Sequence, residues 1–291
     1  MMIHNDTVST FKVPFTFMSG AGNTFYFFDN REFIILDKSN FTKEVYNSDF
    51  LRKADGCIFI ENSTDADFKM HYFNSDGTDG MMCGNGGRCA IRFVIHKNLF
   101  QNKPLSFCAD GHVYKAELIN DEVILELKPA SEINLNQELN VNNLKIKYHS
   151  INTGAPHCVI FLHENLNVFP RLLNEIDVKN IGKEIRNHKN FPAGINVNFC
   201  EVINDTKIVN RTYERGVEDE TLACGTGSAA GAFISNKLGY TGNECSVLVQ
   251  SGETLKVFIK SSDSSIKLQG SAHLLFEGVL NYDSISEKIS L

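Results

Sequence analysis

The sequence lacks the features that would place it in several large functional classes. Lysine and arginine form no runs and are outnumbered by acidic residues, 28 against 35, leaving a net charge of −7. Such a chain is poorly suited to neutralising phosphates, so neither nucleic acid nor an anionic membrane is an expected partner. No stretch approaches the roughly 20 apolar residues that a membrane-spanning helix needs. The opening MMIHNDTVST has no basic n-region and no apolar core, so no secretory signal is read there. Without an export signal, the eight cysteines are expected as reduced thiols in a cytoplasm. A phosphate-cradling G-x-x-x-x-G-K-[ST] loop is missing, and no glycine-rich stretch fits the dinucleotide fingerprint. The second C-x2–4-C pair of a zinc clip is missing too, so no metal is expected.

What is present begins with an ordinary globular composition, 42% hydrophobic and 22% charged over 291 residues. That length suits one large or two medium domains. The chain is organised around two similar stretches. Cys83 is followed by Gly84, Asn85, Gly86 and Gly87, then by an apolar run from Cys89 to Ile95. Cys224 is followed by Gly225, Thr226, Gly227 and Ser228, then by Ala229 to Ile234. Both read C-G-x-G entering a small, apolar, helix-like run, about half the chain length apart. A repeat on that scale implies two similar domains. Glycines ahead of a helix put unpaired amides and the positive dipole end beside the cysteine, which attracts an anion and favours thiolate over thiol. Two such cysteines directed at one cleft would be acid–base groups on opposite sides of a substrate.

Strand-like segments surround each run. In the first half they include Phe11 to Phe17, Thr24 to Phe28, Cys57 to Ile60 and Phe68 to Phe73, then Leu105 to Ala109, Val113 to Leu118 and Val123 to Leu127. Gly20 and Gly22 mark a turn that ends at Asn23. The first C-G-x-G helix is expected to end near His96, enclosed by sheet because it is apolar on nearly every side. Residues 129–143 are polar with no convincing core and are read as a domain crossover. In the second half, Ile146 to Ile151 and Cys158 to Leu162 read as strands, a helix or two lies between Phe169 and His188, and FPAGINVNF (191–199) is extended. The second C-G-x-G helix is expected to stop near Gly239. Strands at Val247 to Val249, Leu255 to Ile259, Ile266 to Leu268 and Leu274 to Phe276 follow. The domains are therefore drawn as 1–130, carrying Cys83, and 131–272, carrying Cys224, with 273–291 returning as a strand to the first. Cys57, Cys89, Cys108, Cys158, Cys200 and Cys245 sit in apolar surroundings and are read as buried small hydrophobes. Asn74 precedes Cys83, and Glu214 and Arg215 precede Cys224. His157 closes an NTGAPH turn, and Asn196 lies in GINVNF. Arg215 is suited to forking a carboxylate.

The motifs ADG (54–56), FNSDG (73–77), MCGNGGRC (82–89), PH (156–157), FPAGINVNF (191–199) and YERGVEDETLACGTGSAA (213–230) resemble those of the diaminopimelate epimerase family, through nearly the whole chain. The resemblance implies an α+β fold of two pseudo-symmetric domains, each a curled, mostly antiparallel sheet around a central helix, and a homodimer. It implies inversion of one α-carbon between LL- and meso-2,6-diaminopimelate, feeding lysine and peptidoglycan precursors, without pyridoxal phosphate or metal. Cys83 and Cys224 would be the two bases, with His157 and Glu214 tuning their protonation. Gly84, Asn85, Gly225 and Thr226 would hold the α-carboxylate, and Asn23, Asn74, Asn196, Glu214 and Arg215 would bind substrate, Arg215 facing the distal carboxylate. Several positions depart from the family pattern. Ser19 and Thr24 replace a His and an Asp around Gly20 to Asn23, Gly56 replaces a Gln found in some members, and Ala155 replaces a frequent Asn. The loop before Cys224 is one residue longer, and Gly270-Ser271-Ala272 replaces a late G-P-A turn. A racemase of another amino acid, such as glutamate or histidine, or a non-catalytic amino-acid-binding protein, would share this scaffold.

Overall fold

The computed structural model describes residues 10–101 and 104–291. The opening stretch read above for a secretory signal lies, up to residue 9, outside the described residues. In chain order the strands are β1 (Thr10–Gly20), β2 (Asn23–Asp29), β3 (Gly56–Glu61), β4 (Phe68–Asn74), β5 (Leu105–Ala109), β6 (His112–Ile119), β7 (Glu122–Glu126), β8 (Ser131–Val141) and β9 (Leu144–Asn152). They continue with β10 (Pro156–Phe161), β11 (Asn196–Asn204), β12 (Lys207–Glu214), β13 (Asp219–Thr221), β14 (Glu244–Leu248), β15 (Thr254–Lys260), β16 (Ser265–Ser271), β17 (His273–Asp283) and β18 (Lys288–Ser290). The α-helices are α1 (Lys38–Asn47), α2 (Gly84–His96), α3 (Val178–Arg186) and α4 (Gly225–Lys237). This is the expected α+β class.

Two compact units divide the chain: residues up to Glu117 with Ala272–Leu291, and Leu118–Ser271. In the first, the sheet runs β18-β17-β1-β2-β3-β4-β5-β6, antiparallel except where β2 meets β3 and β4 meets β5. A parallel pair needs a crossover, and α1 and α2 supply the two. The sequence TFYFF of β2 is apolar at successive positions because both faces are covered. Phe28 meets Phe41 of α1 edge-on at 5.0 Å, and Phe27 stacks on Phe93 of α2 at 5.3 Å. Fully burying one such ring stabilises by about 2 kcal/mol. The β1–β2 turn is two residues long, with positive φ at Ala21 and Gly22, the hairpin geometry that suits right-twisted strands.

In the second unit the order is β8-β9-β10-β11-β12-β14-β15-β16-β7, with parallel pairing at β10–β11 and β12–β14 only, and β13 adding to β12. Again α3 and α4 make the two crossovers, so the alternation of antiparallel and parallel pairs repeats. α2 packs on β1, β2, β3, β4 and β17, and α4 on β9, β10, β11, β12, β14, β15 and β16. Each helix is thus enclosed by its own sheet, as its apolar circumference requires.

Three local differences from the sequence expectations have physical causes. Residues 131–141 are a strand, not a crossover. Among the described residues β8 is an edge strand paired to β9; Ile133, Leu135, Leu139 and Val141 alternate along it, with Leu139 and Val141 buried, but the polar run Asn136, Gln137 and Glu138 interrupts the alternation. The unit boundary falls at Glu117/Leu118 instead of 130, because β7 buries Val123 and Leu125 while pairing with β16. α1 carries no clear apolar period, since Phe41 and Val45 are its only fully apolar buried positions; Asp37 caps it by accepting from the Asn40 amide at 2.8 Å. Between 169 and 188 the one or two helices expected are a short 3-10 turn at Leu173–Glu175 and α3. No helix among the described residues is long and apolar enough to cross a membrane.

Candidate active site

Each C-G-x-G cysteine is the N-cap of its helix. Cys83 precedes α2 with φ −102° and ψ 121°, and Cys224 precedes α4 with φ −118° and ψ 111°. In both, the cysteine carbonyl accepts the first intrahelical bond at 2.8 Å, from Gly87 and from Ser228. The amides ahead of those bonds have no acceptor within the helix. Cys89 is buried, and burial pushes the thiols of Cys57 up to about 12 and Cys245 up to about 11, with Cys158 and Cys200 higher still. Those four are held as thiols. Cys108, expected buried, is only half-buried, because β5 turns it toward the side opposite Leu105, Phe107 and Ala109.

In the first unit, Asn85 Nδ2 donates to Asn23 Oδ1 at 2.6 Å, joining the β1–β2 turn to the head of α2. Gly20 permits this approach, since a Cβ there would lie 3.0 Å from the Asn85 carbonyl oxygen and 3.1 Å from Cys89 Sγ. Arg88, wholly buried one turn into α2, donates to Asn85 Oδ1 at 3.0 Å and fixes which way that amide faces. Asn74 ends β4, where its side-chain amide donates to Thr78 Oγ1 at 3.0 Å. Gly56 is its register partner on β3, and a Cβ at Gly56 would fall 2.0 Å from the Phe73 carbonyl oxygen. The backbone itself therefore leaves no room for a side chain at Gly56.

In the second unit, His157 Nε2 lies 3.0 Å from Thr226 Oγ1, and that hydroxyl lies 3.5 Å from Cys224 Sγ. Burial, reinforced by the Arg215 guanidinium, lowers the His157 pKa to about 3, so the ring is neutral. Asn196 Oδ1 accepts the Arg215 amide at 2.8 Å, its Nδ2 donates to the Pro156 carbonyl at 3.2 Å, and Arg215 Nη1 donates to the Ala193 carbonyl at 3.3 Å. Glu214 accepts from Thr221 Oγ1 at 3.0 Å. The fold thus joins Asn23 to Asn85, His157 to Thr226 and Cys224, and Asn196 to Arg215. It also brings in Arg88, Asn198 and Thr212, which the sequence did not single out. The Asn-x-Asn alternation at 196 and 198 was the available signal, since alternate strand residues share a face.

Solved structures of epimerases and isomerases share this fold. The hydroxyproline epimerase of Agrobacterium vitis superposes with TM-score 0.68 at 13% identity, over 95% of this chain and 94% of that one. A methylitaconate-Δ-isomerase gives 0.67 at 13%, over 95% and 97%. The family profile for diaminopimelate epimerase matches residues 15–131 and 149–275. The diaminopimelate epimerase of Chlorobaculum tepidum is 39% identical over 274 residues, 90% of this chain and 99% of that protein. That of Archaeoglobus fulgidus is 34% identical over 288 residues, 94% and 98% of the two. The chain belongs to the diaminopimelate epimerase family.

Proposed function

We propose that the protein inverts one α-carbon of 2,6-diaminopimelate, converting the LL to the meso form, with Cys83 and Cys224 as its acid–base pair. The observation that carries this reading is the duplicated helix head, a cysteine at the N-cap of an enclosed helix in each unit, in a chain of this family. One thiolate removes the α-proton and the other thiol delivers a proton to the opposite face, so the two exchange protonation states in a turnover. Losing that proton sends the electron pair into the carboxylate as an enolate-like carbanion. Helix-head amides at Gly84, Asn85, Gly225 and Thr226 gain as that charge grows, which lowers the barrier instead of tightening the ground state. His157 and Glu214 tune the protonation of the pair, whose pH profile belongs to both thiols together. Asn23, Asn74, Asn196 and Arg215 hold the remainder, with the Arg215 guanidinium forking the distal carboxylate. On this route neither pyridoxal phosphate nor metal takes part, and the working form is a cytoplasmic homodimer.

The test uses reduced protein in deuterium oxide with LL-diaminopimelate, following α-proton loss by NMR and isomer ratio by chiral chromatography. Conversion to the meso form is expected, and is lost in both Cys83→Ala and Cys224→Ala. Exchange with glutamate or histidine alone would overturn the substrate and keep the thiol chemistry. No exchange with any of the three, in folded and reduced protein, would leave a binding protein.

A further inference from the structure

Beneath α4 runs a line of buried polar side chains that the reaction above does not use. It is set by strand periodicity: Asn198 and Cys200 alternate on β11, and their register partners Thr212 and Asn210 alternate on β12. Asn198, Cys200, Asn210 and Thr212 are all buried. We propose that Asn198 is a positioning residue for Cys224: it fixes His157 as the Nε2–H tautomer, leaving the Thr226 hydroxyl with its own proton to give to the Cys224 sulfur.

The line is anchored by a group that cannot change its role. The Cys158 carbonyl oxygen only accepts, and Asn198 Nδ2 lies 3.2 Å from it. The amide nitrogen must face that carbonyl, which fixes the orientation of Asn198. Its second N–H then points at His157 Nδ1, 3.0 Å away, so Nδ1 is an acceptor. A neutral imidazole has one proton, and with Nδ1 accepting it resides on Nε2. Nε2 therefore donates to Thr226 Oγ1 at 3.0 Å. Having accepted there, the Thr226 hydroxyl can turn its single hydrogen to Cys224 Sγ at 3.5 Å. A donor on a thiolate stabilises the charged form.

The far end is locked in the same sense. Thr212 Oγ1 donates to Asn198 Oδ1 at 2.9 Å, Asn210 Nδ2 donates to Thr212 Oγ1 at 3.3 Å, and Cys200 Sγ donates to Asn210 Oδ1 at 3.4 Å. From Cys200 to Cys224 every group passes its hydrogen forward, and bonds in such a chain polarise one another. The helix is shaped around the line: a Cβ at Gly227 would lie 2.3 Å from Asn198 Oδ1 and 3.2 Å from Thr212 Oγ1. Arg215 is the charged group that acts on His157, and its sign opposes a second proton on the ring. The value of this relay to turnover rests on Cys224 being an acid–base group, but its geometry can be read without substrate.

Two measurements test it separately from the proposed function. In the unmodified protein, two-bond nitrogen–proton NMR of labelled histidine is expected to show His157 as the neutral Nε2–H tautomer at pH 7. An Nδ1–H tautomer or an imidazolium would overturn the proposal. Second, Cys224 is titrated by NMR of 13Cβ-labelled cysteine, with Cys83 as internal reference. Thr226→Val should raise the Cys224 midpoint by about one unit, corresponding to one charge-assisted hydrogen bond, while Thr226→Ser restores it. Asn198→Asp places an acceptor opposite Nδ1, should move the ring proton there, and should raise the midpoint similarly. An unmoved midpoint in Thr226→Val, or equal movement of Cys83, would overturn the relay even if Asn198→Asp does not fold.

Discussion

Replacing His157 with glutamine is expected to flatten the pH dependence of stability between pH 7 and 5. Glutamine can accept from Asn198 and donate to Thr226, but it cannot titrate. In the native protein the ring is buried and its pKa is lowered to about 3, against about 6.5 in an unfolded chain. The unfolded state therefore binds the extra proton. The contribution to stability is complete above about pH 6.5 and is lost as pH falls toward 3. Between pH 7 and 5 the linkage amounts to about 2 kcal/mol, approaching 1.4 kcal/mol per pH unit at the acid end. The carboxylates do not interfere in that window. Burial alone would raise Glu61 and Glu164, but bonds from His71 and Lys38 to the first, and from His149, Lys147 and Tyr240 to the second, lower both to about 2. Their losses begin only near the unfolded carboxylate pKa of about 4.3. His163 is lowered as well, by burial, and is common to both proteins, so it cancels in the difference. Urea unfolding followed by circular dichroism at half-unit pH steps gives the comparison. Parallel curves for the native and H157Q proteins would refute the reasoning.

Two further outcomes test other parts of the site. Gly227→Ala is expected to destabilise by about 3 kcal/mol, because its Cβ would meet Asn198 Oδ1 at 2.3 Å. Gly231→Ala, one turn on, meets Cys200 Sγ at 3.0 Å and should cost about 1 kcal/mol, part of the clash being offset by alanine's helix propensity; the reverse order in denaturant unfolding would show that the face of α4 is misassigned. Activity should depend on reductant, since oxidation of a helix-head thiolate removes the base. Equal turnover in reduced and oxidised protein would sink that expectation.

The chemistry of this chain is written more plainly in its sequence than its scaffolding is. A cysteine, two glycines and an apolar run state a helix head twice over, and both helices start at the residue after the cysteine. The stop at Gly239 is equally legible, with φ +77° just beyond α4. β8 was not, because the polar run Asn136, Gln137 and Glu138 interrupts the alternation of its apolar residues, although Leu139 and Val141 are buried. Buried Arg88, Asn198, Asn210 and Thr212 were not either: hydropathy assigns polar residues to the surface, and only tertiary hydrogen bonds reveal them as interior. Asn23 and Asn85 lie in separate motifs, while the 2.6 Å bond between them depends on a hairpin turn meeting a helix more than sixty positions away.

The pairing of β1 has a consequence for how the protein is made. Its two neighbours in the sheet are β2, three residues further on, and β17, which the ribosome delivers only after the whole of the second unit. Until then the nascent first unit presents a long bare edge bearing Val13, Phe15 and Phe17. Such an edge invites mispairing with other chains. Unit-by-unit completion during synthesis is therefore closed to this topology; the second unit can finish while the first still waits for its closing strand, and slow translation or chaperone cover over that interval would decide the yield of native protein.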